Sequence, residues 1–199
     1  DLIDEDESGT ATLFVKIGNR TNSNAEGGDT HTISFKSESV QATGETKTAL
    51  ASLTVKSTYG TTITAITGEQ NVEPNKNVKF AMSVKNTDGN TDDSVTISYS
   101  ANGIDDWDVN PQPSTMTLSV DEAGFFNLSV TPDIAATAGL KSITVLATSE
   151  DGETVSSTSV TVKVIQLPAL QVDKSGSSSK DVEAGKRVYY SFSVTNKGN

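Results

Sequence analysis

The chain of 199 residues contains no cysteine. A disulfide framework, a thiolate metal site and a thiol nucleophile are therefore excluded. There is a single histidine, His31. A catalytic triad or a zinc centre needs partners that one imidazole lacks, so His31 reads as a surface residue beside a strand. Proline is scarce at five residues, aromatics make up 6%, and Trp107 is the only tryptophan. No run approaches the ~18 consecutive apolar residues of a membrane span, and no basic n-region or apolar h-region is present. Direct membrane insertion is not expected of this segment. Positive charge is also short: 15 Lys and Arg stand against 26 Asp and Glu, for a net charge of −11. Such a chain repels phosphate backbones and lacks the cations for counterion release, so nucleic acid is not an expected partner. The same repulsion argues against docking on anionic lipid.

What is abundant is Ser, Thr, Gly, Asn and Asp, with Val and Ile on alternate positions. That mixture suits short strands with one dry face and one wet face. Val78, Phe80, Met82 and Val84 alternate with Lys79, Ala81, Ser83 and Lys85. Val188, Tyr190, Phe192 and Val194 alternate with Arg187, Tyr189, Ser191 and Ser193 in the same way. A period of two places one set on the core face and the other in solvent. Turn signals separate the runs: Asp88-Gly89-Asn90, Ala101-Asn102-Gly103, Glu122-Ala123-Gly124 and Asp151-Gly152. No helical period stands out; Ala135–Gly139 has room for one short turn.

The chain repeats itself. Asp6-Glu7-Ser8-Gly9 returns as Asp121-Glu122-Ala123-Gly124, an offset of 115. Val72-Glu73 returns as Val182-Glu183, and Ser83-Val84-Lys85-Asn86 as Ser193-Val194-Thr195-Asn196, both at 110. Thr54-Val55-Lys56 returns as Thr161-Val162-Lys163 at 107, which matches Leu53, Val55 and Ser57 to Val160, Val162 and Val164. Phe126, Leu128 and Val130 correspond to Ala11, Leu13 and Val15, and Ile143, Val145 and Ala147 to Ile33, Phe35 and Ser37. The period of about 110 residues is that of one immunoglobulin-like sandwich.

The expected fold is all-β: tandem immunoglobulin-like β-sandwiches, one complete and two partial modules. Residues 58–165 form the complete module. Residues 1–57 match only its C-terminal half, and residues 166–199 only its first strands. Two readings follow. The chain is a window on a longer array, or the C-terminal strands of one copy complete the N-terminal half-module of the next by strand addition. Partial sandwiches otherwise leave strand edges and half a core exposed. The link at Val164-Ile165-Gln166-Leu167-Pro168-Ala169-Leu170 is short and free of Gly and Ser. Successive modules are expected to stack stiffly there, with more freedom at Ser57–Gly60.

The run from Trp107 to Val164 resembles the Ig-like domains of archaeal and bacterial cell-surface and secreted proteins, of the cell-adhesion-related and glycosidase-associated type. The resemblance rests on Trp107, Leu118, Gly124, Leu128-Ser129-Val130-Thr131-Pro132, Ala138-Gly139 and Ala147-Thr148-Ser149. Val84-Lys85-Asn86-Thr87-Asp88-Gly89 and Val194-Thr195-Asn196-Lys197-Gly198 fit its opening strand. The chain departs from the pattern at Asp121–Gly124, where Pro-Gly is common, and at Ile17, which stands where the complete module has Pro132. The resemblance implies a fold and an outward address, and no reaction.

Candidate chemistry is sparse. Asp88, Asn90 and Asp92 supply oxygens at alternate positions, as a calcium loop does, but Asp93 and Tyr99 stand where Gly and Glu belong. A polar hairpin loop is the simpler reading, with calcium the candidate ion. Asp105-Asp106-Trp107-Asp108 and Asp4–Glu7 are acidic clusters without the cleft that paired catalytic carboxylates need. Trp107 is expected in the core, with a sugar platform as the rival role. Tyr189, on the polar side of its strand, is placed to meet a neighbour. Asn19-Arg20-Thr21 and Asn127-Leu128-Ser129 are glycosylation sequons, and Asn127 has outward parity. The chain is thus expected to be a non-catalytic structural element of an extracellular, cell-surface protein. Its expected partners are neighbouring modules or other copies, with surface glycans the candidate ligands of an adhesion role.

Overall fold

Alternating patterns become strands wherever a partner strand lies alongside. The computed structural model describes residues 7–18, 25–41 and 44–199, and no described residue is helical. The chain divides into two compact units, Asp1–Thr58 and Tyr59–Asn199. The first holds one antiparallel hairpin, β1 (Thr30–Glu38) and β2 (Thr46–Thr54), with Thr30 opposite Thr54 and Glu38 opposite Thr46. Residues 7–18 form no strand.

The second unit contains a closed sandwich. Its strands are β3 (Thr61–Ala65), β4 (Glu69–Val72), β5 (Val78–Asn86), β6 (Asp93–Ala101), β7 (Asp108–Gln112), β8 (Thr115–Leu118), β9 (Ala123–Thr131), β10 (Gly139–Thr148) and β11 (Val155–Val164). One sheet runs β4-β11-β10-β6-β8 and the other β3-β5-β9-β7. The opening segment serves both: β3 lies antiparallel to β5, and β4 lies parallel to β11. The middle segment does likewise. There β7 pairs with β9, the chain passes the cis peptide Gln112–Pro113, and β8 pairs with β6. Every sheet edge therefore continues covalently into an edge of the facing sheet, which limits access to unpaired backbone groups.

The core is drawn from alternate positions of these strands. Phe80, Met82 and Val84 of β5 meet Leu128 and Val130 of β9 across the sheet, and face Ile143, Val145, Val160 and Val162; all are fully buried in one apolar cluster. Burial of each side chain of this kind stabilises by about 1.5–3 kcal/mol. Trp107 is half-buried against the same cluster. The short turn expected in Ala135–Gly139 lies slightly earlier, over Asp133–Ala136, closed by the Ala136 amide donating to the Asp133 carbonyl at 3.0 Å, and Gly139 already begins β10. Gly60 allows a close approach: a Cβ there would overlap the Thr87 carbonyl, and the Thr87 amide donates to the Gly60 carbonyl at 2.7 Å. Its role is packing within the sandwich, where a freer junction was expected.

Beyond the sandwich, β12 (Leu170–Ser175) and β13 (Ser191–Asn196) form a second isolated hairpin. It reproduces the β3–β5 pair. Thr61 opposite Asn86 and Ile63 opposite Val84 become Leu170 opposite Asn196 and Val172 opposite Val194. The Lys197 amide donates to the Ala169 carbonyl at 2.8 Å, as Thr87 does to Gly60. Val188–Tyr190, expected as part of the last strand, is not paired.

One sequence match is corrected by the register. β1–β2 sets Ile33 opposite Ala51, and β10–β11 sets Ile143 opposite Val160. With Ile33 equivalent to Ile143, Leu53 corresponds to Val162 and Val55 to Val164. The offset is 109, and the 107 match slipped by two residues. Both choices keep the same face inward, so alternation alone cannot separate them.

Candidate functional site

Two kinds of surface stand out: apolar faces that no described residue covers, and a cleft beside Trp107. The apolar faces belong to the partial modules. Leu13 is 61% exposed where its equivalent Leu128 is 0%, and Phe192 is 61% exposed where Met82 is 0%. In the first unit an open groove of about 380 Å³ is lined by Val15, Ile17, His31, Ile33 and Leu53 among others. In the complete module the equivalents Val130, Ile143 and Val162 are all sealed in the core. On the C-terminal hairpin, the ammonium groups of Lys174 and Lys180 lie over the Tyr190 ring, 5.6 and 5.4 Å from its centre. Tyr189 is exposed, as are its neighbours Val188 and Tyr190 in this unpaired stretch.

The hairpin is pinned to the sandwich through its link. Asn199 Nδ2 donates to the Ile165 carbonyl at 3.0 Å and to the Ala136 carbonyl at 3.2 Å, while Asn199 Oδ1 accepts from the Leu167 amide at 2.6 Å. The Ile165 amide donates to the Val72 carbonyl at 2.9 Å. The residues between β11 and β12 are thus held from both sides.

The cleft has a volume of about 330 Å³ and is bordered by Asp105, Asp106, Trp107, Asp133, Thr137 and Lys141. It presents one aromatic edge, three carboxylates and an ammonium group. Only the aromatic component was singled out from the sequence together with its neighbouring acids; Asp133 and Lys141 arrive from distant positions in the chain.

The remaining expected sites are placed as follows. Asp88, Asn90 and Asp92 lie in the β5–β6 connection, and Asp88 adopts a φ of 62°. Among the described residues no group of three or more His, Cys, Asp or Glu side chains is gathered to hold a metal ion, so no third acidic side chain joins Asp88 and Asp92. Asn127 is exposed in β9, opposite Ala81 and Gln112. The hydroxyl of its sequon partner Ser129 accepts from Asn77 Nδ2 at 2.7 Å. Asn19 lies outside the described residues.

The sequence reading missed the buried polar groups. Asn86, Asp93 and Ser149 are buried. Thr61 Oγ1 donates to Asp93 Oδ2 at 3.0 Å, which leaves the Ser149 hydroxyl as donor in the 2.8 Å Thr61–Ser149 bond. Asp93 Oδ1 accepts from the Glu150 amide at 2.9 Å. Asn86 Nδ2 donates to the Thr91 and Leu118 carbonyls at 2.9 and 3.2 Å. A signal was available, because Asn86 continues the inward parity of Val84 and Asp93 that of Val95. These groups tie elements together.

No protein-family model matches the chain, and no curated protein matches it. Similar solved structures include a family 123 glycoside hydrolase from Clostridium perfringens, 10% identical over 54% of this chain, with a TM-score of 0.43. The matched part is 27% of that hydrolase chain. PapD-like domain 7 of human CEP192 is 11% identical over 52% of this chain and 84% of that domain, with a TM-score of 0.35. A FixG-related protein from Vibrio parahaemolyticus is 10% identical over 53% of this chain and 95% of its own, with a TM-score of 0.39. At these values the likeness concerns an all-β, immunoglobulin-like sandwich and carries no assignment of function.

Proposed function

We propose that this chain is a non-catalytic structural repeat segment of an extracellular cell-surface protein, a component of a stalk, surface layer or filament that assembles head to tail. One observation carries the reading. The C-terminal hairpin repeats the opening strand pair of the complete module register for register, and Asn199 pins the short link between them. A module that hands over to the start of another through a hydrogen-bonded link transmits force along the chain. The acidic, cysteine-free composition is compatible with an exposed, well-hydrated surface. The test is antibody labelling of intact cells of the source organism with serum raised against the 199-residue chain. Surface labelling in a regular pattern is expected; signal only after permeabilisation overturns the reading.

The cleft beside Trp107 favours a second reading, an adhesion or carbohydrate-binding accessory module. An aromatic edge flanked by carboxylates and an ammonium group can stack on a sugar ring and bond its hydroxyls. Titration of oligosaccharides against the fluorescence of Trp107 tests it. A saturable change supports the accessory role, and a flat response across chemically diverse glycans removes it.

A further inference from the structure

We propose that Asn102 is a site of self-modification: its side-chain amide is lost through a cyclic imide, and the aspartate and isoaspartate that result change the charge and the chain path at the rim of the Trp107 cleft.

Asn102-Gly103 is the only Asn-Gly pair in the chain. It stands in the β6–β7 connection, and both residues are exposed. The β6–β10 ladder ends just before it, at Ala101 opposite Ile143, so the Gly103 amide lies beyond the last paired residue. Gly103 has a φ of 67°, which a residue without Cβ adopts at little cost. The missing Cβ also leaves the Gly103 nitrogen open to approach by the neighbouring side chain. Lys141 supplies the charge. A Cβ on Gly103 would come within 3.3 Å of Lys141 Nζ, so an ammonium group stands beside this peptide. A nearby positive charge favours loss of a proton, and the deprotonated amide is the nucleophile that the reaction needs.

Other asparagines of the sandwich lack one or more of these features. Asn86 is buried, with its Nδ2 bonded to the Thr91 and Leu118 carbonyls. Asn110 precedes Pro111, which has no amide proton to lose. Asn127 precedes the buried Leu128 in β9, a strand paired on both sides. Asn75 precedes Lys76, whose amide donates to the Glu73 carbonyl at 3.1 Å. The related acidic pair Asp151-Gly152 is also held: the Gly152 amide donates to the Ser149 carbonyl at 3.0 Å, and the Thr154 and Glu153 amides bind the carboxylate.

The chemistry is balanced by water alone. The Gly103 nitrogen bonds to Asn102 Cγ, the Cγ–Nδ2 bond breaks, and ammonia leaves with the proton of the Gly103 amide. Water then opens the imide. Attack at Cγ gives aspartate; attack at the main-chain carbonyl carbon gives isoaspartate, with the chain routed through the side chain. Nothing is oxidised or reduced. Either product places a carboxylate near Lys141, next to a cleft already bordered by Asp105, Asp106 and Asp133. Isoaspartate also lengthens the stretch between β6 and Trp107 by a methylene. Ile104 is buried in the core, and its carbonyl accepts from the Trp107 amide at 2.9 Å. The added length therefore presses on the turn that carries Trp107.

The test ages the intact chain in mildly alkaline buffer made with heavy-oxygen water and maps its peptides by mass spectrometry. Acid should accumulate at Asn102 several-fold faster than at the exposed Asn75 and Asn127, with one heavy oxygen in each product. Part of that product should accept a methyl group from an isoaspartyl methyltransferase. Lys141→Met should slow the conversion and Lys141→Arg, which keeps the charge, should restore it; the urea transition of Trp107 confirms that each variant is folded. Trp107 emission should drift with age in the native chain and stay constant in Asn102→Gln. Conversion at Asn102 no faster than at Asn127, or seen only in urea, overturns the proposal. So does a native emission that ages like that of Asn102→Gln, because the cleft would then not register the change.

Discussion

Phe80 and Tyr190 are equivalent positions in a finished and an unfinished sandwich, and their truncation should have very different consequences. Phe80 is 0% exposed at the centre of the core. Phe80→Ala removes a buried ring and leaves a cavity, at about 3–5 kcal/mol. With a urea m-value of about 2 kcal/mol/M for a domain of this size, the unfolding midpoint should fall by about 2 M. The thermal midpoint should fall by roughly 12–40 °C, since 1 kcal/mol shifts a domain of this size by about 4–8 °C. Tyr190 is 40% exposed and touched by two lysines. Tyr190→Ala forfeits two exposed cation–π contacts of about 0.5–1 kcal/mol each, and these lie outside the sandwich core. Trp107 provides the readout, because the only tryptophan packs against that core. At low protein concentration its urea transition should move with Phe80→Ala and stay within about 0.5 kcal/mol for Tyr190→Ala, the range of surface substitutions. An equal shift for both variants would refute the reasoning, because the hairpin would then share the cooperative unit of the complete module.

Three further perturbations follow from the polar groups. Asn86→Ala leaves the Thr91 and Leu118 carbonyls without their shared donor and should cost about 1–3 kcal/mol; Asn86→Asp, which sets a carboxylate against both carbonyls, should cost more at neutral pH, and urea titration ranks the two. Asp93→Ala strips the acceptor from the Thr61 hydroxyl and the Glu150 amide, for a loss of about 1.5–3 kcal/mol, and Asp93→Asn should recover part of it in the same assay. Asp151 in the β10–β11 turn has its carboxyl held below the usual 3.8, chiefly by the Thr154 amide with help from the Thr154 hydroxyl and the Glu153 amide, against a smaller effect of burial. A depressed folded-state pKa stabilises above the unfolded value and fades as pH falls through the folded one, so Asp151→Asn should melt below the native chain near pH 6 and match it well under pH 3.

The alternation of Val, Phe, Leu and Ile made the strands and their buried faces legible, because a period of two has one structural meaning in a sandwich. The repeat made the incomplete ends legible, and the hydrogen bonds of Gly60–Thr87 and Ala169–Lys197 show how closely two copies agree. Pairing was not legible. Leu13 and Tyr190 occupy the inward positions of their repeats and form no ladder, since a strand needs a neighbour as well as a face. The split of one segment into β7 and β8 was hidden as well: the inward positions change from odd in β7, at Val109 and Pro111, to even in β8, at Met116 and Leu118, and the runs on either side of the change are too short to show a period. The Leu53 match slipped by two residues because a shift of two preserves every inward side chain. Asp93 was read as a loop residue and Asn86 only as the end of its strand, although the parity of both points inward; hydrophobic pattern gives no weight to a polar residue that finds its partners in other elements.

Those buried polar groups bear on how a chain of near-identical strands keeps its modules apart. Val, Ile and Leu on alternate positions make one strand an acceptable apolar neighbour for many others, and tandem copies raise the risk of pairing across modules. Apolar contacts tolerate a slip of two residues, whereas a hydrogen-bonded carboxylate does not. Asp93 accepts from Thr61 of β3 and from Glu150 beyond β10, so it satisfies both oxygens only when three separate elements arrive in one register. Asn86 does the same for β5, the β5–β6 connection and the end of β8, at the expense of leaving its own Oδ1 unpartnered. A mispaired strand would bury these groups without partners, at about 1–3 kcal/mol each, while retaining most of its apolar burial. That difference discriminates between modules that hydrophobic pattern treats alike. Asn196, which occupies the Asn86 position in β13, has its Oδ1 taken by the Gly198 amide at 3.0 Å. It keeps the residue type of Asn86, with a different partner for its side-chain oxygen.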